Sequence, residues 1–416
     1  MKKLKNIAII AHVDHGKTTL IDAALRQAGV FRENQKIAER VMDSNDLERE
    51  RGITIFSKNA ALFYKEYKLN IVDTPGHADF GGEVQRILKM VDSVLLLVDA
   101  FEGPMPQTKY VLKKALEHGL NPIVVINKID RPNARPYEVL NAVFDLFVEL
   151  NANERQLDFP VIYASAKDGI ARYEPDDTNN NLIPLFETII AHVKEPDGDI
   201  ANPLQLFISA ISYDNYLGKI GTGKIHNGTI KQGEEVLHIN KSGEKRLHKI
   251  TKLFTFNGLK KESVTEAFAG DIVSIAGIDS IDVGETVTDK DFPEALPVID
   301  IDEPTLAMTF IVNDSPFAGN EGDFVTSNHL WIRLQKELLT NVSLKVEKTG
   351  SQNAFLVKGR GALQLSILIE NMRREGYEFQ VSKPEVIYRF IDGQKCEPIE
   401  LAVIDVAEEY AGVVRS

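Results

Sequence analysis

Over residues 1–195, short apolar runs alternate with stretches whose apolar residues recur at helical spacing. The runs Ile7–Ala11, Leu69–Val72, Ser93–Val98, Pro122–Ile126 and Pro160–Tyr163 predict strands. The stretches Thr18–Gln27, Glu83–Val91, Gln107–His118, Pro136–Leu150 and Leu185–Val193 predict helices. In Glu83–Val91, for example, Val84, Ile87, Leu88 and Val91 form one apolar stripe. Strands regularly separated by helices predict a mostly parallel α/β sheet. The polar run Asp176–Asn181 reads as a surface loop.

The pattern changes after the Pro- and Gly-containing acidic stretch Glu195–Asp199, which reads as a linker. Residues 199–300 are rich in β-branched residues with glycine at short intervals, which predicts a small antiparallel β-barrel. Beyond Pro293–Pro297, strand-like and helical stretches come in the order β-α-β-β-α-β. They are Thr305–Val312, Ser327–Leu339, Ser343–Glu347, Ala354–Val357, Ala362–Glu375 and Glu378–Val381. That order predicts a ferredoxin-like α+β domain over 301–384. Residues 385–416 become strand-rich again, notably Ile399–Val406, but are too few for another whole domain.

Composition narrows the class. The chain has 416 residues, 43% hydrophobic and 26% charged, which excludes a wholly disordered chain. No apolar run approaches the ~20 residues of a membrane helix, and the start, Met1–Ile7, lacks the apolar core of a signal peptide. Cys396 is the single cysteine, so the expected compartment is a reducing cytoplasm, with no membrane partner. The net charge of −13 is spread along the chain and argues mildly against RNA as a partner.

Candidate chemistry sits at the predicted strand ends. Ala11-His12-Val13-Asp14-His15-Gly16-Lys17-Thr18 follows the first strand and opens a helix. It matches the phosphate-binding loop G-x-x-x-x-G-K-[ST] except for Ala11. Gly16 allows close backbone approach to phosphate, Lys17 reaches the β- and γ-phosphates, and the Thr18 hydroxyl suits Mg²⁺. Asp73-Thr74-Pro75-Gly76-His77 closes a second strand. Asp73 is placed to hold Mg²⁺ through water, and Gly76 to offer a backbone N–H to the γ-phosphate. Asn127-Lys128-Ile129-Asp130 follows a fourth strand. The Asp130 carboxylate can accept from guanine N1–H and its amine, a donor pair adenine lacks, which selects GTP. Asn127 can brace the phosphate loop, and the Lys128 stem can lie over the base. Ser165-Ala166-Lys167 fits a second base loop in which the Ala166 amide meets guanine O6. Thr54, between the first two motifs, is a candidate to complete Mg²⁺ coordination and sense the γ-phosphate. Singly, several of these would read as ordinary turns or a solvated charged helix. Their order and strand-end placement carry the weight.

Together these motifs, with Arg51-Gly52-Ile53-Thr54-Ile55, resemble the translational GTPases, the class of the elongation factors. Within it the chain most resembles the BipA (TypA) family. Gly103–Thr108, Ile129–Pro136, Leu157–Pro160, Ser315–Gly319 and Lys336–Val342 carry that closer likeness. The resemblance implies a P-loop GTPase domain over 1–198, a translation-factor β-barrel over 199–300 and a ferredoxin-like domain over 301–384. It also implies that 385–416 begins a further ferredoxin-like domain, incomplete here, of a longer native chain with a basic RNA-contacting C-terminal part. Implied GTP contacts are Asp14, His15, Gly16, Lys17, Thr18, Thr19, Gly76, Asn127, Lys128, Asp130, Ser165, Ala166 and Lys167, with Mg²⁺ as the metal. His77 would position the attacking water, with Val13 and Ile53 as an apolar gate beside it. Implied partners are the ribosome, through its RNA and proteins at the factor-binding site, and tRNA, with the chain itself a monomer. Implied roles are large-subunit assembly and stress or cold adaptation. The alternatives are an elongation-type factor like LepA or elongation factor G, or a GTP-binding ribosome-interaction module with little hydrolysis. One departure stands out: Ala362 and Gln364 occupy positions where relatives carry Glu and His, which leaves a packing role at a helix start.

Overall fold

The computed structural model describes residues 3–12, 14–29, 46–51, 54, 57–75, 78–298, 303–341, 343–399, 406 and 411–415. Its first part carries strands β1 (Lys3–Ala11), β2 (Lys58–Tyr64), β3 (Tyr67–Asp73), β4 (Ser93–Asp99), β5 (Asn121–Asn127), β6 (Val161–Ser165) and β7 (Ile170–Arg172). The helices are α1 (Lys17–Gln27), α2 (Asp46–Arg51), α3 (Gly81–Leu88), α4 (Pro106–Glu117), α5 (Pro136–Glu149), α6 (Glu154–Leu157) and α7 (Ile183–His192). The strands form one sheet in the order β2-β3-β1-β4-β5-β6-β7. The five inner strands are parallel. Only the edges β2 and β7 run antiparallel.

Strand periodicity explains why both faces are covered. In β1, Ile7, Ile9 and Ala11 enter one core with Leu20, Ile21 and Leu25 of α1. Ala8 and Ile10 point the other way, into a core with Val84, Ile87 and Leu112. Every residue of β4 is buried. The five predicted strands and five predicted helices are all present, shifted at their ends. β2 and β7 had no counterpart in the sequence reading. β2 turns into β3 through Lys65, a non-glycine residue with φ +52°, so the hairpin carries no glycine signal. β7 is three residues long.

The second part is all β: β8 (Gln205–Asp214), β9 (Gly218–Asn227), β10 (Thr229–Lys231), β11 (Glu235–Ile239), β12 (Lys245–Lys249), β13 (Lys252–Asn257), β14 (Lys260–Ser263), β15 (Glu266–Phe268), β16 (Ile272–Ala276) and β17 (Thr286–Thr288). Eight of them form an antiparallel sheet ordered β12-β11-β17-β8-β9-β16-β13-β14, and β10 pairs β15. Leu206, Ile208, Ile225, Val273 and Val287 fill its core.

The third part holds β18 (Leu306–Val312), α8 (Ser327–Leu338), β19 (Lys345–Lys348), β20 (Ala354–Gly359), α9 (Ala362–Arg374) and β21 (Phe379–Val381). The sheet order is β19-β20-β18-β21, that is 2-3-1-4, the split-βαβ arrangement. α8 and α9 cover it through Leu334, Leu365, Leu368 and Met372. β22 (Glu385–Val386) also pairs with β18, so this sheet extends two residues past the boundary at 384 drawn from sequence. A hairpin of β23 (Arg389–Ile391) and β24 (Gln394–Cys396) follows, then α10 (Ala411–Arg415). Of the strand-like run 399–406, residues 400–405 lie outside the described residues. No helix among the described residues is long and apolar enough to cross a membrane.

A buried polar seam locks the barrel to the parallel sheet. The Lys68 ammonium on β3 meets both Asp271 carboxylate oxygens at 2.7 and 2.9 Å. Asn70 donates to Asp271 and to Asn6, while Asn6 donates to Asp92 and to the Gly270 carbonyl. Lys224 of β9 meets Asp92 at 2.5 Å. Burial raises the Asp92 carboxyl despite that ammonium. Such paired charges add little net stability, but only one register satisfies all of them.

Candidate functional site

The described residues of the motifs after β1, β3, β5 and β6 sit at the C-terminal ends of these parallel strands, where open α/β sheets place ligands. The register lines up the ends: Ile9 lies opposite Asp73, Asp99 opposite Asn127, and Asn127 opposite Ala164.

The loop after β1 turns sharply. Asp14 (φ +61°) and Gly16 (φ +94°) adopt left-handed backbone, and Gly16 is the N-cap of α1. No side chain caps that helix. Its N-terminus, with the positive end of its dipole, therefore faces the site as an anion cradle. A Cβ on Gly16 would stand 2.4 Å from Asn127 Nδ2, so both the conformation and the space require glycine.

Lys17 is buried and its Nζ lies 2.7 Å from Asp73 Oδ1. It also donates to the Thr74 carbonyl. Thr74 is itself held by donating its hydroxyl to the Ile9 carbonyl at 2.6 Å. The Lys17 ammonium and the Asp73 carboxylate thus meet in one place, between the ends of β1 and β3. Thr18 is half-buried in the first turn of α1, and Thr19 and Asp14 are exposed beside it. Thr54 is buried. Val13, Ile53, Gly76 and His77 lie outside the described residues.

Asn127 joins the two halves of the site. Its Nδ2 donates to the His15 carbonyl at 2.8 Å, and its Oδ1 accepts from the Ala166 N–H at 2.9 Å. The brace expected of Asn127 is therefore present. The Ala166 N–H, expected to face guanine O6, already donates to Asn127, so a base would share that donor. Ser165 donates to Asp168 at 2.6 Å and shapes the same loop. Asp130 and Lys167 are exposed at the rim above Asn127, Ser165 and Ala166, which are buried.

Sequence reasoning passed over Asp99, which ties the end of β4 to the loop after β5. Asp99 is buried, and its Oδ2 meets Lys128 Nζ at 2.7 Å and Arg131 at 3.2 Å. Burial pushes its carboxyl up, but hydrogen bonds from Lys128 and from the Phe101 and Glu102 amides outweigh that and hold it below the usual range. Lys128 itself has left-handed backbone (φ +65°). The available signal was position: Asp99 ends a strand whose neighbour ends in Asn127. His15 is the other omission as a structural group. It is fully buried, 3.4 Å from the Leu97 carbonyl, and burial plus the adjacent His12 ring lower its imidazole pKa.

Residues 2–195 match the family described as the elongation factor Tu GTP binding domain, and residues 218–288 match elongation factor Tu domain 2. The chain is 59% identical over 411 residues to a Bacillus subtilis protein named large ribosomal subunit assembly factor BipA, covering 99% of this chain and 67% of that one. It is 58% identical to a protein of that name from Synechocystis, covering 98% and 68%, and 55% identical to one from Salmonella typhimurium, covering 100% and 68%. The chain thus spans about two thirds of the length of these relatives. A crystal structure of a Thermus thermophilus protein superposes with a TM-score of 0.69 at 19% identity, covering 93% of this chain and 68% of that one, a likeness of fold.

Proposed function

The chain belongs to the BipA family of translational GTPases, and on that premise we propose that it binds GTP, hydrolyses it to GDP and phosphate, and uses the cycle on the ribosome during large-subunit assembly. The observation that carries this reading is the meeting of Lys17 and Asp73 at the uncapped N-terminus of α1, tied by Asn127 to the base loops.

In this reading the phosphates lie on the amides of the first turn of α1 and take Lys17 from Asp73. Asp130 accepts from the guanine N1–H and amine, and Lys167 and Lys128 flank the base. Thr18 and Thr54 hydroxyls, and Asp73 through water, would hold Mg²⁺, which neutralises charge on the phosphates. The residues fit that ion: a carboxylate at a strand end stands beside the helix that offers the hydroxyl. His77 orients the attacking water, and Val13 and Ile53 shield it. The chemistry is positioning and electrostatics, with no covalent intermediate. We assign the parts as a GTPase domain over 1–198, a barrel over 199–300, a ferredoxin-like domain over 301–384 and a partial fourth unit over 385–416.

The test is GTP turnover by this chain with and without 70S ribosomes, repeated with His77→Ala. We expect slow turnover alone, stimulation by ribosomes, and loss of the stimulated rate in the variant. Absence of turnover in both conditions overturns the enzymatic reading.

A further inference from the structure

Helix α9 of the third domain does not cap itself. Its N-cap is Gly361, with extended backbone and no side chain. The acceptor comes from the GTPase domain: Asp79 Oδ2 accepts from the Leu363 N–H at 2.9 Å and from the Gln364 N–H at 3.3 Å. A Cβ on residue 361 would lie 2.2 Å from Asp79 Cγ, so glycine there makes room for the incoming carboxylate. Gln364 is buried and secures the same turn, its Oε1 accepting from the Arg360 N–H at 2.8 Å. Its polar role is therefore structural.

Two further contacts surround this cap. Leu47 of α2 and Phe80, next to Asp79 in the 3-10 turn Ala78–Phe80, close a small separate core with Leu363 and Ile367 of α9. At the far end of α9, Arg374 donates to Glu50 of α2 at 2.9 Å. Thus one helix of the third domain holds two segments of the GTPase domain. One is α2, three residues before Thr54. The other is the turn that begins immediately after His77.

We propose that α9 is a working part of the GTPase centre, with Asp79 as a positioning residue. By capping α9, Asp79 fixes the turn Ala78–Phe80 against the third domain, and nucleotide-driven movement of that turn reaches the third domain as tightening or loosening of the first turn of α9. The proposal rests on the GTPase reading. It adds a specific route that requires no contact between Asp79 and nucleotide.

The test compares the intact chain with Asp79→Ala, Asp79→Asn and Ile367→Ala. The readouts are amide hydrogen exchange at Leu363 and Gln364 in GDP and in a non-hydrolysable GTP analogue, and turnover resolved into kcat and KM. In the wild type, exchange at these amides should differ between the two nucleotides. Asp79→Ala should speed that exchange about fivefold, the weight of one lost cap, and abolish the nucleotide difference. It should lower ribosome-stimulated kcat by about the same factor, with KM and GDP affinity unchanged. Asp79→Asn keeps an acceptor oxygen and should restore both. Ile367→Ala, made from the third domain, should lower kcat without touching GDP affinity. Exchange that is identical in both nucleotides overturns the proposal, as does an Asp79→Ala chain within twofold of wild type in exchange and kcat. A wild-type chain that binds nucleotide without turnover defeats the enzymatic reading instead, and exchange still decides the coupling.

Discussion

Replacing Asn127 by alanine isolates the link between the phosphate loop and the base loop. Asn127 is 1% exposed, and its amide serves two buried backbone groups, the His15 carbonyl at 2.8 Å and the Ala166 N–H at 2.9 Å. Alanine leaves both unpartnered. Each buried orphan costs about 1–3 kcal/mol, so the parallel-sheet domain should lose about 2–6 kcal/mol, toward the lower figure if water enters. At about 1.4 kcal/mol per tenfold, guanine nucleotide affinity should fall by a factor of ten or more, since both loops lose their mutual support. Asn127→Asp sharpens the logic. Aspartate keeps an acceptor for Ala166 but points a carboxylate oxygen at the His15 carbonyl, so it should be at least as damaging as alanine despite its near-identical shape. Urea unfolding followed by far-UV circular dichroism measures the loss, with titration of a fluorescent GDP analogue for affinity. The single tryptophan, Trp331, lies in α8 of the third domain, so its fluorescence follows that domain separately. The reasoning fails if Asn127→Asp melts and binds like the wild type, or if Asn127→Ala changes stability by under about 0.5 kcal/mol, the level of an inert surface change.

Two other predictions concern the groups that join the domains. Burial pushes the Glu83 carboxyl up to about 7 from 4.5, the nearby Arg86 guanidinium offsetting part of this and Glu337 adding to it. A raised folded pKa means its stability contribution is full below pH 4.5 and is lost as pH rises through about 7. Glu83→Gln should therefore gain on the wild type between pH 5 and pH 8, by at most about 3 kcal/mol and less where solvent reaches the carboxyl, as read from urea midpoints at the two pH values. Lys68→Met removes the ammonium from Asp271, leaving that carboxylate with Asn70 and Thr255 at 3.1 Å each and the Ile272 N–H at 2.9 Å, all neutral donors. The barrel's seat should weaken by about 3–5 kcal/mol, and the double variant with Asp271→Asn should recover most of it, as measured by thermal melting and protease sensitivity of the linker Glu195–Asp199.

The parallel sheet was legible because its strands are buried on both faces and so read as continuous apolar runs, of which Ser93–Val98 is the clearest. β2 was not legible: its apolar stretch is short, and the turn at Lys65 lacks the glycine that usually marks a hairpin. The nucleotide motifs were readable at the level of residue type, because phosphate and guanine demand particular donors and acceptors at fixed offsets from strand ends. Asp99 escaped because its importance lies in partners at 128 and 131, and nothing in its neighbouring residues announces them.

The amino-acid sequence by itself determined the five parallel strands and the five longer helices of the first domain, though not the edge strands β2 and β7, and it determined the all-β and then split-βαβ character of the parts that follow. These depend on local periodicity and on chemistry carried within a few residues. Only the tertiary structure decided that Lys17 meets Asp73, that Asn127, expected to brace the loop at His15, also holds the Ala166 N–H, and that Asp79 caps a helix in another domain. Each of these joins groups far apart in the chain, and whether a polar group is satisfied depends on what folding brings within about 3 Å of it.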